Sequence, residues 1–265
     1  MRLVINGALG RMGRRIIALA REDDEIDIVG AVDLNGEMKG RDIGLLAGVG
    51  ALGITLDNNL GTVIENADVV IDFTVADSML ETAEQCSNAS VPLVSGTTGL
   101  STGDREKFIR IVEGIPCVYA PNMSVGVNLL FKLVAETASI LGDDYDVEIT
   151  EVHHRFKKDS PSGTARRIAE IVAEKRGISL DKEAVHGRYG MTGERTRTEI
   201  GIHAVRAGDV VGEHTVTFGT IGERLELAHK AQSRDAFASG AIRAAKFACS
   251  ARPGIYDMQD VLGLR

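Results

Sequence analysis

The chain has no tryptophan, and aromatic residues make up only 4% of its 265 positions. A platform that stacks successive bases needs such rings, so a single-stranded nucleic-acid binder is a poor fit. Basic charge is also short: 30 Lys and Arg stand against 38 Asp and Glu, for a formal net charge of -8. That is the opposite of the basic footprint a phosphate backbone requires, and no nucleic-acid partner is expected. Cysteine is scarce, with Cys86, Cys117 and Cys249 far apart and no Cys-x-x-Cys pair. A disulfide framework or a zinc site does not follow from that pattern; buried reduced thiols do, and no metal is expected. No uninterrupted run of about eighteen apolar residues occurs, so no membrane span is expected. Leu3 to Ile5 is too short for a signal-peptide core, and Arg11, Arg14 and Arg15 follow it rather than precede it. The expectation is a soluble cytoplasmic protein.

What is present is an ample core, with 44% apolar residues, and 30 glycines for tight turns and close backbone approaches. In the first half, short apolar runs alternate with helix-like stretches. Residues 2–6, 26–32, 67–73, 92–95 and 117–119 read as strands, and 11–21, 78–87 and 103–113 as helices. That alternation implies a parallel sheet covered on both faces. Residues 40–53 read as loop with a helical turn. After Pro121-Asn-Met-Ser124 the pattern changes. Helices are expected over 127–141, 162–176 and 234–249, and strands over 145–152, 198–205, 210–218 and 225–228. Turns at 206–209 and 219–222 separate the last strands, which is the grammar of hairpins. The final residues, 254–264, are expected to pack back on the first domain.

Gly7-Ala-Leu-Gly10-Arg-Met-Gly13 follows a predicted strand and opens a predicted helix. Residues without a Cβ let a pyrophosphate come close, and the helix start favours its charge. Leu9 stands where the commoner pattern has its second glycine, and the loop alone would equally suit a structural turn. Asp33, at the end of the next predicted strand, weighs for a dinucleotide because a carboxylate there accepts hydrogen bonds from ribose hydroxyls. The same carboxylate repels a 2′-phosphate, and Leu34 and Asn35 bring no cation, although Lys39, Arg41 or Arg11 could reach one. NADH is therefore expected ahead of NADPH.

The segment Glu151–Ala165 runs against the acidic background. His153, His154, Arg155, Lys157 and Lys158 put five cationic or titratable side chains into six positions. A proton donor at neutral pH is most often histidine. On a strand the two histidines would face opposite ways, so one of them faces a given pocket. Lys157 could hold charge near a developing anion, and Ser162-Gly163-Thr164 offers backbone N–H groups to a carboxylate at a helix start. A solvated basic loop before an ordinary helix cap is the plainer alternative. His186, His203, His214 and His229 are isolated and read as packed or surface residues.

The motifs Gly7–Gly13, Asp72-Phe-Thr74, Gly96-Thr-Thr-Gly99, Ala120-Pro-Asn-Met-Ser-Val-Gly126 and, above all, Glu151–Ala165 resemble those of one family, the 4-hydroxy-tetrahydrodipicolinate (dihydrodipicolinate) reductases of the diaminopimelate route to lysine. The resemblance continues through Arg206–His214, Ile221–Arg224, His229-Lys-Ala and Tyr256–Leu262, nearly the whole chain. It implies that His153 is the proton donor and Lys157 its electrostatic partner, with His154, Gly163 and Thr164 on the substrate carboxylates. It implies that Gly7, Ala8, Leu9, Gly10, Arg11 and Met12 hold a pyrophosphate and Asp33 a ribose. Gly96, Thr97, Thr98, Ala120, Pro121, Asn122 and Met123 would line the nicotinamide end. The implied reaction is NAD(P)H-dependent reduction of a small cyclic imine dicarboxylate, with hydride to ring C4 and a proton to C3, in a homotetramer. Met123 departs from the Phe that many relatives carry, and Lys158 from an apolar residue.

The expected fold is α/β, with an N-terminal Rossmann-like dinucleotide-binding domain over 1–124 and 235–265. An α+β substrate-binding and oligomerisation domain over 125–234 would carry a mixed, largely antiparallel sheet. A hinge near 124 and 234 would let it close. Another imine or amino-acid dehydrogenase, or a non-enzymatic NADH sensor, would share the glycine loop. Neither needs the Glu151–Ala165 segment.

Overall fold

Strands and helices alternate through one unit, Met1–Val125 with Arg234–Arg265, whereas the other, Gly126–Ser233, ends in successive strands. The computed structural model describes residues 1–265. In chain order the first unit opens with β1 (Arg2–Asn6), α1 (Arg11–Ala20), β2 (Asp27–Val32), α2 (Ile43–Ala47) and β3 (Leu56–Asp57). It continues with β4 (Val69–Asp72), α3 (Ala76–Ala89), β5 (Leu93–Ser95), α4 (Thr102–Val112) and β6 (Pro116–Tyr119). Next come α5 (Val125–Leu141), β7 (Asp146–His153), α6 (Gly163–Arg176), α7 (Leu180–Glu183), β8 (Ala184–Val185), β9 (Ile200–Arg206), β10 (Gly212–Thr220) and β11 (Glu223–Ala231). The chain then returns to the first unit with α8 (Asp235–Ala248), β12 (Gly254–Tyr256) and α9 (Met258–Val261).

The first unit's sheet has the order β12-β6-β5-β4-β1-β2-β3, and its pairings are parallel. The chain moves outward from β1 to β3, then returns so that β4 joins the other side of β1. In such sheets the crevice beyond the strand ends at this reversal is where dinucleotides bind. Both faces are covered, as the apolar runs require. Leu3, Ile5, Val69 and Ile71 enter one core cluster and their neighbours Val4 and Val70 the other. Each such side chain contributes about 1.5–3 kcal/mol by burial. Two short strands, β3 and β12, escaped sequence reading because two or three residues carry no period; β12 pairs with β6. Cys86 and Cys117 are buried as expected, but Cys249 is exposed, just past the end of α8.

The second unit's sheet has the order β11-β10-β7-β9-β8. It is mixed, since β10 is antiparallel to β11 and β7 while β9 is parallel to β7 and β8. Residues 219–222 close a true hairpin between β10 and β11. The turn at 206–209 does not, because β9 and β10 lie on opposite sides of β7. A turn sequence cannot distinguish a hairpin from a crossing over an earlier strand whose two edges both need partners. The crossing is fastened to the end of β7. Ala207 N donates to the His153 carbonyl at 2.9 Å, and Arg155 N donates to the Gly208 carbonyl at 3.1 Å.

Helix α5 with the turn after it, Val125–Asp144, is long and apolar enough to cross a membrane by length and composition alone, which the uninterrupted-run criterion missed. Its Leu130, Val134 and Ala138, at helical spacing, pack into the core of the second unit with Val147 and Ile149 of β7.

Candidate active site

Along β7 every second residue faces the core: Val147, Ile149, Glu151 and His153 are buried. The row begins apolar and ends with an acid and a base. Glu151 is fully buried. Its Oε2 lies 2.5 Å from His153 Nδ1 and accepts from Arg206 Nη1 at 2.8 Å. Its Oε1 accepts from Arg206 Nη2 at 2.8 Å and from Ser162 N at 3.1 Å. Ser162 caps α6, its hydroxyl accepting from Ala165 N at 3.2 Å. The strand end and the helix start are thus joined through one carboxylate. Gly163 opens the helix, and a Cβ there would meet nothing within 4 Å. First-turn amides have no acceptor within a helix, so this start suits an anion.

Lys157 and Lys158 differ sharply. Lys157 is 19% exposed in its side chain and pairs with Asp159 at 2.9 Å, while Lys158 lies exposed. His154 lies beyond the end of β7, half-buried, with its ring 6.2 Å from that of Phe156.

Burial opposes a charge on Glu151, but the hydrogen bonds from Arg206, His153 and Ser162 outweigh it and hold the carboxyl below its ordinary range. Burial also leads at His153. Glu151 pulls its pKa up, Lys157 and Arg206 push it down, and the balance lies below the ordinary histidine value. A dicarboxylate beside the ring would raise it and favour the imidazolium.

His214, read from sequence as isolated, lies edge-on to His153 with ring centroids 5.2 Å apart. Register explains it: antiparallel pairing of β10 with β7 sets His214 opposite Glu151. Its Nε2 is 3.1 Å from the Ser162 hydroxyl. Burial, then the neighbouring His153, pushes its pKa from 6.5 down to about 3. In the unfolded chain the ring protonates near its ordinary value, so stability present at neutral pH is lost as pH falls below about 6.5. The slope is about 1.4 kcal/mol per pH unit until the folded value is reached. Urea denaturation at pH 7 and pH 5 should show a loss of about 2 kcal/mol in the wild type and a smaller one in His214→Asn. Equal losses would remove His214 as the cause.

In the first unit, Gly7 has φ 82°, and a Cβ on it would lie 2.5 Å from the Phe73 carbonyl oxygen. A Cβ on Gly13 would lie 2.2 Å from the Gly7 oxygen. Packing within the chain therefore already demands these two glycines. Gly10 is exposed at the cap of α1. Ala8 is buried, Leu9 and Met12 are partly buried against the core, and Arg11 is exposed. Asp33 Oδ2 accepts from Leu9 N at 2.9 Å, which ties the second strand's end to the loop. Gly7, Gly10, Asp33, Leu34, Asn58 and Thr74 are among the residues around a cavity of about 590 Å³. Two carboxylates, Asp33 and Glu81, line it, and no Lys or Arg does. Lys39 is held by Asp57 at 3.0 Å and Asn58 at 2.8 Å. Glycine loop, cavity and carboxylate fit a dinucleotide.

Asp72, fully buried at the end of β4, received no role from sequence. It accepts from Asn6 Nδ2 (3.2 Å), Thr74 Oγ1 (2.8 Å), Ser95 Oγ (3.0 Å) and Thr97 Oγ1 (2.8 Å). Three strand ends and two loops meet on it, and Thr97 is thereby buried with its hydroxyl engaged. Gly96 lies against the Phe73 ring, which a Cβ would strike at 2.2 Å. Thr98 and Pro121 are exposed, Asn122 is half-buried, and Ala120 is buried. The Met123 side chain sits in the core, 2% exposed. It therefore does not serve as a surface for ring stacking, and its backbone is what it can offer a cofactor.

Two family models match the chain: "Dihydrodipicolinate reductase, N-terminus" over residues 1–123 and "Dihydrodipicolinate reductase, C-terminus" over residues 126–262. The 4-hydroxy-tetrahydrodipicolinate reductase of Syntrophus aciditrophicus is 50% identical, covering 100% of this chain and 99% of that protein. The enzyme of the same name from Citrifermentans bemidjiense is 49% identical over 100% of both. Among solved structures, a dipicolinate-bound dihydrodipicolinate reductase from Paenisporosarcina sp. TG-14 is similar with a TM-score of 0.75 and 25% identity, covering 98% of each chain. An amine dehydrogenase from Mycobacterium smegmatis, at a TM-score of 0.61 and 13% identity over 97% of this chain and 94% of that one, shares the fold alone.

Proposed function

The chain belongs to the dihydrodipicolinate reductase family, and on that premise we propose how its residues divide the NAD(P)H-dependent reduction of 4-hydroxy-tetrahydrodipicolinate to tetrahydrodipicolinate. The single observation that carries the assignment is the buried Glu151–His153 pair joined to the start of α6. Gly7–Met12 and Asp33 would hold NAD(P)H, with Gly96–Thr98 and Ala120–Met123 lining the nicotinamide end, and the bound cofactor would supply the hydride. Reduction at ring C4 leaves an enamine-like species, and its C3 must take a proton. His153 delivers that proton, and the Lys157 ammonium lowers the cost of the negative charge that precedes it. His154 and the Gly163–Thr164 helix start hold the two carboxylates.

The test follows the absorbance of NADH with substrate generated in place from pyruvate and aspartate semialdehyde by the preceding enzyme. Oxidation that depends on that enzyme supports the assignment. Cofactor binding without oxidation under any substrate load would overturn it.

We infer a preference for NADH. Asp33 and Glu81 line the cavity, and no cation does, so a 2′-phosphate would meet charge of its own sign. The expected kcat/KM is at least about tenfold higher with NADH, roughly 1.4 kcal/mol; a tenfold bias to NADPH would reverse the inference. We also infer a cytoplasmic homotetramer assembled through the second unit's sheet. Strand β11 is an edge whose residues 223–226 are exposed, including Leu225 at 44%, and such an edge is a template for pairing. Light scattering on the eluted protein should give four times the chain mass, and a monomer would dismiss the assembly.

A further inference from the structure

We propose that Glu151 is the positioning residue that sets both halves of the substrate site at once: it fixes the His153 ring with Nε2 as the proton-delivering atom, and it anchors the start of α6. The proposal rests on the function assigned above.

An ionised carboxylate only accepts hydrogen bonds and offers about four places to do so. At Glu151 all four are taken: by His153 Nδ1, by both Arg206 Nη atoms, and by Ser162 N. Because Arg206 keeps the carboxyl ionised, Nδ1 must be a donor and must carry hydrogen. The hydrogen that comes and goes therefore sits on Nε2. Around that atom the chain leaves room. A Cβ at Gly212, the first residue of β10, would lie 3.0 Å from His153 Nε2 and crowd it. The edge of His214 closes another side of the ring and limits its rotation.

The helix start is held at two atoms of the same residue. Ser162 N is bonded to Glu151, and Ser162 Oγ lies against His214. Arg206 extends the grip by donating to the Asp159 carbonyl at 2.7 Å, on the loop that leads into α6. A displacement of Glu151 would therefore move the proton donor and the carboxylate cradle together. His214 also meets both the ring and Ser162, but through a neutral edge contact and one hydroxyl, whereas Glu151 holds them with a charge.

Three charged groups act on the His153 ring, Glu151 from β7, Lys157 from the following loop and Arg206 from β9, and the ring of His214 from β10 faces it edge-on. Glu151 alone stabilises the imidazolium. Removing its charge lowers the ring's pKa, so the fall of kcat with rising pH should begin at lower pH. Glutamine at this position could also donate to Nδ1 and admit the opposite tautomer.

The first experiment uses the wild-type chain with ¹⁵N-labelled histidine. Long-range NMR correlations at a pH above the His153 transition should show the neutral ring with hydrogen on Nδ1. Hydrogen on Nε2 would overturn the proposal, and this readout needs neither turnover nor a variant. The second compares Glu151→Gln and Glu151→Asp by steady-state kinetics over pH. Glu151→Gln should lower kcat by about 10- to 100-fold, taking as a guide the loss of carboxylates that orient metal-bound histidines. It should also raise KM for the imine dicarboxylate but not for NADH, and shift the high-pH limb downward. Glu151→Asp should restore the position of that limb. A folded Glu151→Gln with an unmoved limb and unchanged imine KM would sink the proposal. Absent turnover in the wild type would count against the assigned function, and the ring's tautomer then decides the role of Glu151 by itself.

Discussion

His153→Gln should lower kcat by about a hundredfold to ten-thousandfold while leaving KM for the imine nearly unchanged, because a positioned general acid is worth that much. The cost is about 3–5 kcal/mol of transition-state stabilisation. Glutamine suits the test because it keeps much of the bulk and can still hydrogen-bond to Glu151, so the strand end and the Ser162 contact stay in place. What it cannot do is carry a proton that C3 can take. A loss confined to kcat would mark an interaction made only as the proton moves. If turnover fell less than tenfold, the proton would come from elsewhere. Lys157, already beside the ring electrostatically and tucked against Asp159, would then be the group to replace next.

Arg206→Met should destabilise the protein by about 3–5 kcal/mol, the usual penalty for breaking a buried ion pair from one side. Glu151 is fully buried, and Arg206 supplies two of its four hydrogen bonds. Methionine fills much of the same length without charge, so the loss falls on the carboxylate left behind rather than on packing. The pH dependence has a definite sign. Glu151's folded pKa is depressed below 4.5, so the pair's stabilisation is present above that value and is lost as pH falls through the depressed one. In the variant, protonation of Glu151 relieves the buried charge, and the deficit relative to the wild type should narrow toward acid pH. Urea unfolding of Arg206→Met, Glu151→Gln and the double variant measures it. The double variant should recover part of the loss, since the stranded charge is gone. A deficit below about 1 kcal/mol at neutral pH would place the pair with ordinary surface bridges.

Local chemistry carried much of the fold into legibility. The strand of residues 2–6, the glycine turn, the helix after it and Asp33 at the end of the next strand lie within one short stretch, where each signal has its own period or spacing. Ser162 before an apolar helical run marked the start of α6 within a residue. One signal was available and went unread. On a strand, residues two apart share a face, and Glu151 and His153 stand two apart at the end of the core-facing row begun by Val147 and Ile149.

By itself the sequence determined the alternating α/β order, the glycine loop with its acidic companion, and the chemically dense Glu151–Ala165 segment, because each is a matter of neighbours along the chain. Only the tertiary structure decided which partners that segment has. Arg206 reaches Glu151 across 55 residues and His214 reaches Ser162 across 52, carried by the pairing of β9 and β10 on the two sides of β7. Strand order and register arise from burying a whole sheet at once. Neither the Arg206 turn nor the isolated His214 holds in its own vicinity any trace of the strand it will meet.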